Sequence, residues 1–386
     1  GVYCSSENSL TLKNVFITNN NSNTNGAGIY ITNSDIALIN CEITNNTAVL
    51  GGGIFCSDSE LFVGGSRINN NIVADAFSCN GGGVYSSYSN IVFDNTVLGN
   101  NSSDGYGGGL YAIGGDYELK NSLFFNNNAN YGGGLVSYNA DLKIMGCTFS
   151  QNSAFGELDY PGGGGICSLF NSSIQIVNSI FWENIYPEIL FLDYSDQGDL
   201  MVAFSNIDLN EIEMNSIPLN WLDGNIDENP LFEDSENGNF LLTENSPCID
   251  VGTDFFIWNG ATLIDLQPDE YFGIAPDLGA FEFDNTVIND DEISSVYSLF
   301  QNYPNPFNPT TTISFNLTAE DVMNSRLEIY NLKGQKVKEF PDIRNQTSVI
   351  WNGEDETGNA VSSGIYFYKL NVNEKAVKTK KMILLK

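Results

Sequence analysis

The sequence predicts an all-β chain: a right-handed parallel β-helix solenoid followed by a small immunoglobulin-like β-sandwich. Three observations carry this expectation. A glycine-rich block recurs along the first half, apolar residues fall into columns at the period of a strand, and charge and composition change near residue 300.

The block reads Gly26-Ala-Gly-Ile-Tyr30, Gly51-Gly-Gly-Ile-Phe55, Gly81-Gly-Gly-Val-Tyr85, Gly107-Gly-Gly-Leu-Tyr111, Gly132-Gly-Gly-Leu-Val136 and Gly163-Gly-Gly-Ile-Cys167. A polar pair follows each: Asn45-Asn46, Asn70-Asn71, Asn100-Asn101, Asn126-Asn127, Gln151-Asn152 and Glu183-Asn184. From the first glycine to the second member of the pair is 20 positions in five repeats and 21 in the sixth, whereas the stretch to the next block varies from 5 to 11. A fixed scaffold therefore alternates with a variable loop, the signature of a repeat architecture.

Apolar residues within the scaffold align as Val2, Ile29, Ile54, Val84, Leu110, Leu135, Ile166; as Leu10, Ile36, Leu61, Ile91, Tyr117, Leu142, Ile174; two residues on as Leu12, Leu38, Val63, Phe93, Leu119, Ile144, Ile176; and as Ile17, Ile43, Ile68, Leu98, Phe124, Phe149, Phe181. A spacing of two marks a strand with one buried face. Short strands stacked coil on coil predict a parallel solenoid rising about 4.8 Å per coil. Asparagine tolerates the left-handed backbone of tight turns and can form amide ladders when stacked, so the Asn pairs read as structural turns.

The repeats occupy 1–206, a less regular closing region 207–284, a linker 285–299 and a C-terminal domain 300–386. The chain opens inside a repeat, so the sequence reads as a fragment or a processed form. Residues 1–299 hold 39 acidic and 4 basic residues, a net of -35. Such a body repels nucleic acid and anionic lipid. No segment is apolar for 18 residues, so no transmembrane helix is expected. Of the seven cysteines, Cys4 and Cys56 stand two coils apart and Cys41 and Cys147 four. Those separations exceed disulfide reach, so these side chains read as small buried hydrophobes. Cys79 falls in a loop.

The Gly-Gly-Gly-Ile-Tyr blocks and the Phe-x-x-Asn pairs (Phe16 to Asn19, Phe149 to Asn152, Phe181 to Asn184) resemble the repeats of polymorphic outer-membrane and adhesin-like β-helix proteins. The runs Gly224 to Phe232, Ser246 to Gly252 and Pro276 to Glu282 resemble the closing segment of the pectate-lyase-like superfamily, which includes lyases, hydrolases and non-enzymes. Tyr303-Pro304-Asn305-Pro306-Phe307-Asn308-Pro309-Thr310 is similar to the opening of type A C-terminal sorting domains of the type IX secretion system. Leu327 to Val337, Trp351-Asn-Gly, Gly364-Ile-Tyr366-Phe-Tyr-Lys-Leu370 and the tail with Lys380 and Lys381 continue that pattern. The resemblance implies export through the type IX machinery, with residues 300–386 as its partner segment, to the outside or outer surface of a Gram-negative cell.

Catalysis has little to stand on. The chain has no histidine, which removes His-based triads and the Asp-and-His pattern of polygalacturonases. A pectate-lyase-like base would have to come from Arg67, Lys120 or Lys143, beside Glu118 and Asp141. No catalytic residue is assigned, and a non-catalytic adhesin or glycan-binding protein is expected; the alternatives are a polysaccharide lyase or hydrolase and a structural surface or filament component. Carbohydrate-binding candidates are the column Tyr3, Tyr30, Phe55, Tyr85, Tyr111, expected to point outward, and Phe77 and Tyr160 in the long loops Ile72–Asn80 and Ser153–Gly162. The partner expected there is an extracellular polysaccharide or a surface protein. No cofactor is required, but Asp223, Asn225, Asp227 and Glu228 have the composition of a structural Ca²⁺ loop.

Overall fold

The computed structural model describes the whole chain except residues 7–8, 74–78, 157–161, 186, 193–196, 216, 284–297, 301, 303, 317–324, 332, 342, 344–347, 373–374 and 386. The chain divides into two compact units, Gly1–Asp284 and Asn285–Lys386. The linker expected at 285–299 lies almost wholly outside the described residues.

The first unit is a parallel β-solenoid. Two nine-stranded parallel sheets run its length, one from Val2–Ser5 to Ile212–Met214, the other from Ser9–Lys13 to Leu219–Trp221. A seven-stranded sheet, Phe16–Thr18 to Ile180–Trp182, forms the third wall, and two-residue strands at the last corner form a five-stranded sheet. The apolar columns stack in the expected register: Val2 beside Ile29, Ile36 beside Leu61, Phe124 beside Phe149. Their side chains fill the lumen, most of them fully buried, in one continuous core. Phe124, Phe149 and Phe181 stack with ring centroids 4.5 and 4.7 Å apart.

The two members of each polar pair divide the work. The first, such as Asn45, Asn70 and Asn100, takes a left-handed backbone (φ 54–56°) and turns the corner. The second points inward. Asn46, Asn71, Asn101, Asn127 and Asn152 are completely buried and form a continuous amide ladder. Each Oδ1 accepts the backbone N–H and the Nδ2 of the preceding Asn, while each Nδ2 donates to the next Oδ1 and to a carbonyl one coil back. For Asn101 the partners are Asn71 N (3.0 Å), Asn71 Nδ2 (3.1 Å), Asn127 Oδ1 (3.0 Å) and Ile68 O (2.8 Å). All four hydrogen bonds of the amide are made, which is what makes such a group tolerable in a core.

The glycine block exists to make room for this ladder. A Cβ on Gly83 would lie 2.6 Å from Gly109 O and 3.1 Å from the Asn101 amide. Gly81 is left-handed (φ 70°), and its Cβ would meet Val84 O at 2.4 Å.

The ladder ends at Glu188, whose carboxylate accepts both the N–H and the Nδ2 of Asn184. Beyond Trp221 the chain forms one more irregular turn, with Ile226 bridged to Asn206. Residues 229–283 then cover the outside of the solenoid. Phe240 and Ala280 pack on Leu123 and Phe125, and Leu242, Cys248 and Leu278 pack on Ile180. The antiparallel hairpin Phe255–Trp258 and Ala261–Asp265 covers Met145 and Met201. Three carboxylates clasp this cover. Asp277 accepts from Asp250 N and Phe283 N, Glu282 from Phe272 N and Asp277 N, and Asp250 from Ile274 N.

The second unit has a three-stranded and a four-stranded antiparallel sheet around Ile313, Phe315, Leu327, Trp351, Tyr368 and Leu384.

Candidate functional site

The outward column of the first sheet does stack: Tyr3–Tyr30, Tyr30–Phe55 and Phe55–Tyr85 centroids lie 5.0, 5.0 and 5.1 Å apart with near-parallel rings. An outward-facing ladder of open rings is nevertheless corrected by two facts. Stacked rings occupy one another's faces, leaving edges where a sugar needs a face. Tyr106 and Tyr131 also stack over the end of the column, so Tyr111 is buried, as is Phe55; only Tyr3 is largely exposed. Phe77 and Tyr160 lie outside the described residues, as do the central parts of both long loops.

A different aromatic has its face free. Tyr88 stands at the corner between the two long sheets, in the column of turn residues Asn33, Asp58 and Gly114, with a left-handed backbone (φ 49°) and 69% exposure. A left-handed tyrosine is uncommon and costs on the order of 1 kcal/mol. Its ring lies over Gly114, where a Cβ would come within 3.0 Å of the ring. Beside it, an open groove of about 370 Å³ runs along the solenoid axis, lined by Asp35, Asp58, Glu60 and Asn90 and floored by Ser34 and Ser59. Phe62, 38% exposed, borders the adjoining depression on the second sheet. Asp35 and Glu60 are in-register neighbours. Asn90 donates to Glu60 (2.7 Å) and Ser57 to Asp58 (2.7 Å). The signal available in the sequence was an aromatic in a column mostly of turn formers, whose other aromatic is Phe170 (φ 49°).

Of the basic candidates, Lys120 and Lys143 both flank Glu118, and Arg67 lies apart. Lys120 pairs with Glu118 at 2.6 Å, and Lys143 is the in-register neighbour of Glu118. Arg67 sits beside Glu42 on adjacent strands, where burial pushes the Glu42 carboxyl up and the guanidinium opposes it. Lys120 and Glu118 pair within one strand, whereas Arg67 and Glu42 form a partly buried cross-strand pair.

The calcium candidates do not converge. The Asn225 amide accepts from Ser205 N (3.0 Å) and donates to Val202 O and Leu222 O, closing the last coil. The Glu228 backbone pairs with the Asn206 amide, while Asp223 contributes its carbonyl to Phe204 N. Among the described residues no group of three or more His, Cys, Asp or Glu gathers in metal-holding geometry.

Titration is perturbed mainly where burial is deep. Desolvation raises Glu188 to about 8 and Glu282 to about 7, the latter helped by Asp277. Buried thiols are pushed up as well, Cys56 and Cys147 to about 12 and Cys248 to about 11, by desolvation. They behave as apolar fillers, and Cys79 too is buried.

In the second unit, the sorting-motif residues knit the opening segment to the last strand. Phe307 is buried against Trp351 (5.6 Å), its N–H donates to Ile383 O (3.0 Å), and its carbonyl accepts from Leu385 N (2.8 Å). Asn305 Oδ1 accepts from Ile383 N (2.9 Å), and the Pro304 carbonyl accepts from Asn302 and Thr311. Pro304, Asn305 and Pro306 are exposed; Tyr303 lies outside the described residues. Tyr366 donates to Ser362 O (2.7 Å) with Trp351 against its ring. Gly364 starts the strand that pairs with Lys375–Leu384, on which Lys381 is exposed and Lys380 half-buried.

These features define a parallel β-solenoid followed by a separate C-terminal unit of two antiparallel sheets. Residues 301–385 match the secretion system C-terminal sorting domain, and residues 146–169 match the Chlamydia polymorphic membrane protein repeat. The C-terminal unit is therefore a type IX sorting domain, and the chain is delivered to the outside or outer surface of a Gram-negative cell. A solved structure of PorZ, described as an essential bacterial surface component of the type-IX secretion system of Porphyromonas gingivalis, aligns at 24% identity and a TM-score of 0.19. The alignment covers 23% of this chain and 12% of that one, and carries no argument about fold or role. No curated protein matches the chain.

Proposed function

We propose that the solenoid is a non-catalytic adhesin that holds an extracellular glycan along the groove beside Tyr88. One observation carries this reading. Tyr88 presents an unstacked ring, 69% exposed, next to an open groove of carboxylate and amide groups. Sugars are bound by such a pairing, an apolar ring face for the C–H face and polar groups for the hydroxyls. A rigid, hydrogen-bonded scaffold holds the pair in place without an ordering cost at binding. Catalysis is disfavoured because Lys120 is ion-paired to Glu118 on an outward strand face and Arg67 is paired apart with Glu42, away from the groove. A glycan array probed with the full chain and with Tyr88→Ala tests the reading. Binding lost in the variant, with no reducing ends or unsaturated products released, supports it; turnover of a bound glycan, or no glycan bound by either protein, overturns it.

A further inference from the structure

Resting on that reading, we infer that the ligand of the Tyr88 groove is a glycan bearing positively charged amino groups, a hexosamine polymer with free amines lying along the solenoid axis. The groove is one stretch of a longer stripe. The leading outward positions of the second sheet stack as Ser9, Asp35, Glu60, Asn90, Asp116, Asp141, Ser173 and Asp199, one per coil, with Asp35 to Asp141 all exposed. Asp116 and Asp141 are direct cross-strand partners, as are Asp35 and Glu60.

Like charges directly opposite on a sheet destabilise it. The repulsion is felt here: burial and then the Asp116 charge hold the Asp141 carboxyl above its ordinary value. Among the described residues none of the groove carboxylates Asp35, Asp58 and Glu60 is ion-paired to a lysine or arginine.

The ligand's chemistry follows from what the groove can offer. Ionised carboxylates only accept hydrogen bonds, so the ligand must supply donors. Charges repeating at about 4.8 Å or its multiples along one line suit a linear polymer with a donor on each unit. The Tyr88 face attracts both the apolar face of a sugar ring and a neighbouring ammonium group. A solenoid with a net charge of -35 over residues 1–299 repels uronic acid polymers and sulfated glycans, so anionic polysaccharides are poor candidates. Its field draws a cationic chain in from solution, and that attraction must weaken with salt.

The test is isothermal titration of the full chain with three hexasaccharides at mildly acidic pH: β-1,4-linked glucosamine, its fully N-acetylated form, and oligogalacturonate. The glucosamine oligomer is expected to bind at least tenfold more tightly than the other two, and to lose most of its affinity at high salt. Tyr88→Ala should abolish binding. The pair Asp35→Asn with Glu60→Gln should weaken it about tenfold while leaving the thermal unfolding midpoint unchanged or higher, because removing like charges relieves the sheet. Equal binding of the acetylated oligomer, still dependent on Tyr88, would overturn the inference and leave the glycan reading standing. Failure of all three oligomers, together with an empty glycan array, would overturn both. Tighter binding of a lysine-rich peptide than of the glucosamine oligomer, lost in the Asp35 and Glu60 variant, would reassign the stripe to a basic protein partner and refute the inference.

Discussion

Asn100 and Asn101 are chemically identical neighbours in opposite environments. Asn100 turns the corner at φ 54° with its side chain at the surface, while Asn101 is wholly buried with four hydrogen bonds. Replacing Asn101 by alanine strands the Asn71 amide and backbone N–H and the Ile68 carbonyl, a loss of about 3 kcal/mol or more. Asn100→Ala loses the preference for a left-handed backbone, about 1 kcal/mol, and one exposed hydrogen bond accepted from Asn126 Nδ2, which adds little. Denaturant unfolding of the two variants checks the order. The ladder was legible in the sequence because stacked amides have few other uses, but which Asn turned and which bonded was not, since both roles favour the same residue. Tyr88 was not legible: its column is mostly one of turn formers, its other aromatic Phe170 packs on Tyr138, and only the folded corner shows the Tyr88 ring unstacked. Conversely, Tyr3, Tyr30, Phe55, Tyr85 and Tyr111 were visible as a column, but its covering was not, because the position before each glycine block stacks as Asn25, Leu50, Asn80, Tyr106 and Tyr131 and turns aromatic only in the last two.

At the scale of the element, the amide ladder closes on a buried carboxylate. Burial raises Glu188 to about 8 from an ordinary value near 4.5, so the folded state holds its proton more tightly than the unfolded chain. Its contribution to stability is fully present below about pH 4.5 and is lost as pH rises through 8. Wild-type stability should thus fall between those limits relative to Glu188→Gln, whose side chain does not titrate. The difference between their unfolding curves from pH 4 to pH 9 reads this directly; a flat difference would show that Glu188 does not titrate in that range. The strands and their register were legible from the columns alone, because parallel stacking places like residues side by side. The cover formed by residues 229–283 was legible as a break in the repeat and as a resemblance to closing segments, but its contacts were not. It packs by non-repeating contacts such as Phe240 on Phe125 and Leu278 beside Ile180, which leave no period to read.

At the scale of the molecule, the two units answer different demands. The solenoid carries nearly all the acidic charge and the open groove, whereas the sandwich is close to neutral and carries the sorting motif. Phe307 and Asn305 bind the opening motif to the final strand, so the motif and the tail form one folded surface rather than a linear signal. Deleting residues 301–385 should therefore leave the protein inside the outer membrane, detectable by cell fractionation, with none reaching the surface. Both the export domain and the solenoid class were legible, because each has a dense sequence signature. The proposed groove was not, because an aromatic on a corner and a carboxylate stripe acquire meaning only once the coils are stacked.

The central claim is that the free ring of Tyr88, and not the stacked column, meets the ligand. Affinity electrophoresis of the full chain through a gel bearing the array-identified glycan tests it most directly, comparing Tyr88→Ala with Tyr85→Ala. Retardation lost in Tyr88→Ala and kept in Tyr85→Ala is the result expected; retardation kept in Tyr88→Ala and lost in Tyr85→Ala would contradict the account and return the site to the column.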